Sequence, residues 1–540
     1  MPIAEDTLDL LEKQLSEMKE AFRVPGLSLA ITDRDRTLHA CAMGVSDTSA
    51  GKEVTGETLF QIGSISKSFA AIVILQLRER GKVDLNAPVK EYLPWLEIKS
   101  RHAPITLHHL MTHTAGIPMG SEGTVAGETE VWELRNFETS APPGEYFHYS
   151  NTGYKAVGLI IEAITGRHCG DAIAQGVLRP LGMTRTHATI TNSIRASTAT
   201  GYCPLYDDRP VSRSSPLAPA PWSESATADG SISSVPEDMA SYIRMLLRRG
   251  EGPDGPIISE ESYDMLTSRF VKPADSMHGE HYGYGFNVED QDGQVVIGHT
   301  GGMIGFTSSL LANLDLGVGM VVLTNCLSEP EMLSRHALST IRAAAEGRPA
   351  PNLVVSNHAY MPKDASEYVG RYSGEDGEIE MTVSDGRLAA TVDGKKCTLE
   401  GIREDSFVLD HESFRLFPLK FTREAGQIVG VACGPEVYAL ESRLERDDHE
   451  EPPKLWDSLV GHYRSHNPWL TNFRVVKRRD RLLFVDSSSE EEPLTPLSDG
   501  SFRIGVDPRS PERIRFDRMI GGKAFVAYVS GGYYQRTFTP

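Results

Sequence analysis

The chain has 540 residues, of which 40% are hydrophobic and 24% charged. That balance supports several buried cores and excludes disorder or a disulfide-stapled miniprotein. Lys and Arg number 54 against 74 Asp and Glu, a formal net charge of −20, and such a field repels a duplex or an anionic bilayer, which sets aside nucleic-acid and polybasic membrane binding.

The N-terminus, Met1 to Asp6, is acidic, shows no secretory signature and leads into an amphipathic helical pattern at Leu8, Leu10, Leu11, Leu15 and Met18, with Phe22 beyond it. Residues 26–31 read as a buried strand after a Pro-Gly turn. Residues 66–80 read as a helix ended by Gly81, and residues 151–165 as a second, ended by Gly166. Residues 295–297, 307–311 and 318–324 read as strands of one sheet, and a helix near 329–346 closes the unit. The pattern predicts helices packed on an antiparallel sheet over residues 1–348. Runs 70–75 and 321–323 are the longest apolar stretches and are too short to span a bilayer. A cytoplasmic location is therefore expected, a removed leader aside.

The composition changes at Gly347-Arg348-Pro349-Ala350-Pro351. From about residue 365 the chain reads as short strands with turns at Asp385-Gly386 and Asp393-Gly394, an all-β pattern. A charged, proline-rich break at 447–453 divides this region into modules of 360–446 and 454–540, each enough for a small closed barrel. A short repeat relates them: Tyr368, Gly370 and Tyr372 match Leu459, Gly461 and Tyr463, and Phe421 to Arg423 match Phe516 to Arg518. Six cysteines (Cys41, Cys169, Cys203, Cys326, Cys397, Cys433) show no CxxC spacing, which argues for buried free thiols over a zinc knuckle or a redox pair.

Three elements carry candidate chemistry. Ser64 and Lys67 form S-x-x-K at a helix start, one turn apart on one face. A serine hydroxyl needs a base within hydrogen-bond reach, and a buried lysine can serve; a solvated Ser/Lys helix start is the plain alternative. Tyr149-Ser150-Asn151 reads as Y-x-N, in which a phenol beside an ammonium can shuttle a proton and an amide can orient both lysine and substrate. The alternative is a tyrosine in a hydrophobic wall and an asparagine helix cap. The third element is Gly298-His299-Thr300-Gly301-Gly302, leading into a strand. Its glycines let a substrate backbone approach a sheet edge, and an N–H near Gly302 could join that of Ser64 as an oxyanion hole; otherwise it is a tight turn with a surface histidine. His108, His109 and His113 have no patterned carboxylate partner, so no metal and no cofactor is expected.

Together these elements resemble the serine β-lactamase and penicillin-binding-protein superfamily, and most closely its class C-like esterase and D-aminopeptidase branch (peptidase family S12 type). The strings 105–117, 282–286 and 178–183 fit that branch too. The resemblance covers roughly residues 5–345. It implies an α/β (α+β) catalytic domain, with Ser64 forming an acyl-enzyme, Lys67 and Tyr149 moving protons, Asn151, His299 and Gly301 placing the substrate, and the Ser64 and Gly302 amides holding the oxyanion. His299 stands where the antibiotic-related members have lysine, which puts β-lactam and D,D-carboxypeptidase activity in doubt. D-Aminopeptidases of this superfamily look similar in layout, with two C-terminal antiparallel eight-stranded, lipocalin-like barrels and a loop of the last one reaching the active site. The corresponding string is 486–493, whose Asp486, Glu490, Glu491 and Glu492 read as a solvated run or as carboxylates that attract a substrate's ammonium.

The expected function is thus a serine hydrolase of esters or small peptide and amide bonds, with a small-molecule or peptide substrate and homo-oligomerisation left open. A β-lactamase or D,D-carboxypeptidase is the alternative within enzymes. A non-catalytic binding or regulatory protein on the same fold is the alternative from another class.

Overall fold

The computed structural model describes residues 3–121, 127–274, 276–353, 355, 360–384, 386–443 and 453–537. Its contacts divide the chain into two units. One comprises residues 1–203, 218–355 and 508–511; the other comprises 204–217, 356–507 and 512–540.

The first unit is built on an eight-stranded antiparallel sheet. Its strands are β1 (Gly26–Asp33), β2 (Thr37–Asp47), β3 (Lys52–Glu53), β4 (His281–Tyr282), β5 (Asn287–Gln291), β6 (Gln294–Met303), β7 (Phe306–Asn313) and β8 (Val318–Thr324). Their order is β4-β5-β6-β7-β8-β1-β2-β3. β1 and β8 pair from Leu27↔Thr324 to Asp33↔Val318 at the centre, and every residue of both is buried. Strand alternation sends their side chains to two cores. Leu27, Leu29, Ile31, Met320 and Val322 pack against α1 (Glu5–Ala21) and α5 (Pro330–Ala345). Ala30, Val321 and Leu323 pack on the face that holds α2 (Ser66–Glu79), α3 (Asn151–Thr165) and α4 (Pro236–Leu247).

Most expected elements are present, with instructive differences. α1 buries Leu11, Leu15 and Met18 but leaves Leu10 exposed. α3 spans the predicted residues and ends on Gly166 in the left-handed conformation, as a glycine permits. β6 runs well past residues 295–297. Its glycines weaken strand propensity, yet they are there for close packing: a Cβ on Gly298 would stand 2.5 Å from the Leu310 carbonyl oxygen.

The second unit holds the two β modules. Residues Gly461–Arg536 form a closed eight-stranded antiparallel barrel. Among its described residues the first module has nine strand segments rather than the expected eight. Its end segments, Lys395–Cys397 and Leu399–Arg403, are separated only by Thr398, so one interrupted stretch supplies both edges of a nearly closed sheet. The short repeat has a physical basis. The Tyr372 hydroxyl donates to the Tyr368 carbonyl at 2.9 Å, and the Tyr463 hydroxyl to the Leu459 carbonyl at 2.7 Å. Phe421 and Phe516 pack against those tyrosines at ring distances of 5.6 and 5.7 Å. Asp393-Gly394 turns a two-residue hairpin with φ of 49° and 77°. Asp385 and residues 447–452 of the proline-rich break lie outside the described residues.

Three of the four acids in the acidic string, Asp486, Glu490 and Glu491, are engaged within this unit, while Glu492 is exposed. The Asp486 carboxylate accepts from Ser488 and from the Glu490 amide. Glu490 pairs with Arg403. Glu491 binds Arg478 through both oxygens at 2.9 Å and faces Lys420 at 3.6 Å. The Glu490–Arg403 and Glu491–Lys420 pairs, with Phe417 against Val476, Leu483 and Val485, join the two modules. All six cysteines are free; Cys169, Cys326 and Cys433 are buried and the other three half-buried. Among the described residues no helix is long and apolar enough to cross a membrane.

Candidate active site

Gly63, Ser64 and Ile65 form one 3₁₀ turn that continues directly into α2. Gly63 has φ of +54°, and a Cβ there would lie 2.6 Å from the Gly302 backbone. Only glycine fits both the angle and the approach. Gly301 seals the same contact, since its Cβ would stand 1.9 Å from the Ile62 carbonyl oxygen. That oxygen accepts from the Ser308 hydroxyl at 2.9 Å, and the Ile62 amide donates to Ile232 at 2.9 Å. The serine turn is therefore fastened to β6 and β7. Gly302 is exposed and open: a Cβ there would meet nothing within 4 Å.

Lys67 lies one helical turn on and is fully buried. Its Nζ donates to Ser64 Oγ at 3.0 Å, to Asn151 Oδ1 at 2.6 Å and to the Asp229 carbonyl at 2.8 Å. Three acceptors match the three donors of an ammonium. The Tyr149 ring centroid is 4.9 Å from Nζ and that of Tyr154 is 5.6 Å away, both within cation–π range. The solvated Ser/Lys reading is thereby excluded.

The Y-x-N element divides its labour differently from a capping asparagine. Ser150 is the N-cap of α3: its Oγ accepts from the Gly153 amide at 3.0 Å and donates to the Pro118 carbonyl at 2.6 Å. That leaves the Asn151 side chain free to hold Lys67. Tyr149 is half-buried and stacks on His113 with centroids 4.2 Å apart.

His299 is not a surface histidine; it is 6% exposed. Its Nε2 lies 3.0 Å from the Tyr282 hydroxyl and its Nδ1 2.5 Å from the Thr300 carbonyl. Burial, reinforced by the Lys67 charge, pushes its pKa down to about 4, so it is neutral near pH 7. His113, set aside above with its neighbours as a non-metal, is fully enclosed beneath the site. Burial holds its pKa well below the usual range. Its Nδ1 accepts from the Ser150 amide at 3.0 Å, and its Nε2 meets the Tyr282 hydroxyl at 3.2 Å. His108 turns instead to the Tyr284 hydroxyl, and His109 caps its own short helix at Thr106. The three histidines therefore do not converge. Residues 508–511 group with this unit, and the Arg509 guanidinium stands 4.5 Å over the Tyr146 ring.

Among the described residues, Glu162, His168 and Cys169 hold three ligand-type atoms within 4.8 Å of one another, at the end of α3. Burial pushes the Cys169 thiol up to about 12, which keeps it protonated and a poor metal ligand.

The arrangement presents a hydroxyl beside a buried ammonium, an amide that fixes that ammonium, and an open glycine edge alongside. Known proteins resemble the chain that carries it. The chain is 28% identical over 329 residues to Penicillin-binding protein 4 of Amycolatopsis lactamdurans, covering 58% of this chain and 84% of that protein. It is 29% identical over 348 residues to the Unguisins hydrolase ungD' of Aspergillus campestris, covering 59% of this chain and 63% of that one, so it spans less than two thirds of the latter's length. The solved octameric penicillin-binding protein homologue from Pyrococcus abyssi superposes with a TM-score of 0.60 at 26% identity, covering 80% of this chain and 99% of that chain. The family model described as Beta-lactamase matches residues 11–344. A match that runs through both helix layers and the sheet between them, over more than half of the chain, makes this protein a member of the Beta-lactamase family.

Proposed function

We propose that the protein is a serine hydrolase acting through an acyl-enzyme on ester or small peptide and amide bonds, in the manner of a carboxylesterase or a D-aminopeptidase-like peptidase. The observation that carries this reading is the Lys67 ammonium: fully buried, 3.0 Å from Ser64 Oγ, and fixed by Asn151 and Asp229. In the scheme the reactive Lys67–Tyr149 pair carries one proton fewer than an ammonium plus a phenol; Ser64 Oγ attacks the substrate carbonyl and its proton passes to the vacant site on that pair. The amides of Ser64 and Gly302 take the developing oxyanion. The carbon–leaving-group bond breaks as the pair returns the proton to the leaving alcohol or amine. Water then adds to the acyl carbon and gives its proton to the same pair, and the bond to Ser64 Oγ breaks as the pair returns that proton to Oγ, releasing the acid.

His299 sets the substrate class. A neutral imidazole offers no cation to a substrate carboxylate, so neutral and amine-bearing substrates are favoured. Gly301 acts by packing against Ile62, which sets the distance of the glycine edge from the serine turn. The proposed domains are 1–348, 360–446 and 454–540. A homo-oligomer belongs to the proposal, supported by the octameric Pyrococcus protein.

A β-lactamase or D,D-carboxypeptidase is the second reading, favoured by the relative named a penicillin-binding protein. A panel of p-nitrophenyl esters, L- and D-aminoacyl amides and nitrocefin separates the two. Turnover of esters or aminoacyl amides with no nitrocefin opening is the expected result. Nitrocefin turnover alone selects the second reading, and no turnover of any member refutes both.

A further inference from the structure

Three side chains beneath the site form one directed chain of hydrogen bonds. At one end stands the Ser150 amide, which can only donate, 3.0 Å from His113 Nδ1. At the other stands the Thr300 carbonyl, which can only accept, 2.5 Å from His299 Nδ1. Between them the Tyr282 hydroxyl lies 3.2 Å from His113 Nε2 and 3.0 Å from His299 Nε2.

Each end fixes its histidine independently. A bare Nδ1 on His113 places that neutral ring's proton on Nε2, which then donates to the Tyr282 oxygen. A protonated Nδ1 on His299 leaves its Nε2 bare, and that atom must accept. The Tyr282 hydroxyl satisfies both demands at once, accepting from His113 and donating to His299. The two backbone ends impose the same direction on both histidines, with the Tyr154 oxygen standing beside the Tyr282 hydroxyl as the one alternative acceptor.

We infer that His113 and Tyr282 are positioning residues of this site: they hold His299 as the neutral Nδ1–H tautomer with its Nε2 occupied, and so make the site reject substrate carboxylates. The specificity half of this statement rests on the proposed hydrolase reading; the tautomer half does not. Protonating His299 would turn its Nε2 into a second donor aimed at the Tyr282 oxygen and push the phenolic proton off its bond to His299 toward the Tyr154 oxygen, whose own hydroxyl is spent on the Met111 carbonyl. All three rings are buried, at 6%, 1% and 1% exposure for His299, Tyr282 and His113, where a stranded polar group is costly. The charged and titratable groups facing His299 among the described residues are Lys67 from α2, Tyr149 ahead of α3 and Tyr282 from β4, with His113 and Tyr154 of α3 behind Tyr282. Lys67 opposes a second cation, and burial holds the Tyr282 phenol protonated, so it does not invite one. The same chain ties the start of α3, which carries Asn151, to β6, which carries His299 and Gly302.

The test is nitrogen NMR of the full chain labelled with [15N]histidine, with resonances assigned by their loss in His299→Gln and His113→Asn. The expected spectrum shows His299 as the Nδ1–H tautomer and His113 as the Nε2–H tautomer, both unchanged from pH 8 to about 5. Tyr282→Phe removes one hydroxyl and keeps the ring. In that variant the His299 midpoint should rise by about one pH unit, the equivalent of one lost hydrogen bond. Its KM for a carboxylate-bearing substrate should then fall below pH 6, while KM for a neutral ester stays constant. A wild-type His299 that carries its proton on Nε2, or titrates above pH 5, overturns the inference. So does a folded Tyr282→Phe protein whose histidine spectra match the wild type at every pH. If Tyr282→Phe does not fold, the wild-type spectrum decides alone. If the protein hydrolyses nothing, the spectra still judge the tautomers, and only the hydrolase reading fails.

Discussion

Two adjacent glycines should respond in opposite ways to the same added methyl group. In Gly301→Ala the new Cβ would stand 1.9 Å from the Ile62 carbonyl oxygen and 2.4 Å from Ser308 Oγ. Ordinary contact needs about 3.4 Å, so β6 or the serine turn must move by more than 1 Å, and the Ser308–Ile62 bond breaks. Overpacking costs about 1–3 kcal/mol and the lost hydrogen bond about 1 kcal/mol, giving roughly 2–4 kcal/mol in all. At about 2 °C per kcal/mol for a large domain, the first melting transition should fall by about 4–8 °C. In Gly302→Ala the Cβ meets nothing within 4 Å, so the melting temperature should stay within about 2 °C of wild type. That methyl stands on the open edge beside Ser64, however, and the rate of fluorophosphonate labelling should drop at least about tenfold. Differential scanning calorimetry and gel-based labelling read the two effects separately. If Gly301→Ala melts like the wild type, the packing of β6 on the serine turn is wrong. If Gly302→Ala labels at the wild-type rate, the open edge is not part of the site.

Lys67→Ala and Tyr149→Phe should each lower kcat by orders of magnitude and the double variant by little more, because the pair moves one proton; additive losses in ester hydrolysis would separate their roles. His299 titrates near 6.5 unfolded and at about 4 folded, so the unfolded state binds more protons in that window and stability falls as pH drops from about 6.5 to 4. The loss for this one group is up to about 3 kcal/mol, and denaturation curves of His299→Gln should show a shallower acid slope; an unchanged slope would deny His299 that part. Glu491→Gln leaves Arg478 and Lys420 without their shared, mostly buried partner. It should destabilise the barrel unit by about 2–3 kcal/mol in chemical denaturation without changing ester turnover, and a neutral result would mean those charges are solvated in solution.

How much the sequence discloses depends on the range of each interaction. Ser64 and Lys67 are legible because three residues of helix bring them together wherever the helix goes. Gly166 is legible because a left-handed stop needs no partner. Asn151 is half legible: the motif names it, but only the fold shows that Ser150 takes the cap and releases it for Lys67. The His113–Tyr282–His299 chain is not legible at all, because it joins β4, β6 and the loop before α3 across 169 residues between His113 and Tyr282. His299 looked like a turn residue since glycines flank it, and its burial comes from neighbours distant in sequence. The length of β6 was hidden for the same reason. Segments 204–217 and 508–511 change units without any shift in composition to mark them. The barrel repeat shows the converse: two five-residue strings sufficed, because each tyrosine bonds back to the residue four before it.

The central claim is that Ser64 carries the acyl group. Incubating the full chain with a slowly released p-nitrophenyl ester, quenching in acid and mapping peptides by mass spectrometry tests it directly. The account predicts one acyl adduct, on the peptide containing Ser64, absent in a folded Ser64→Ala protein. An adduct on another residue, or wild-type turnover by Ser64→Ala, would contradict it.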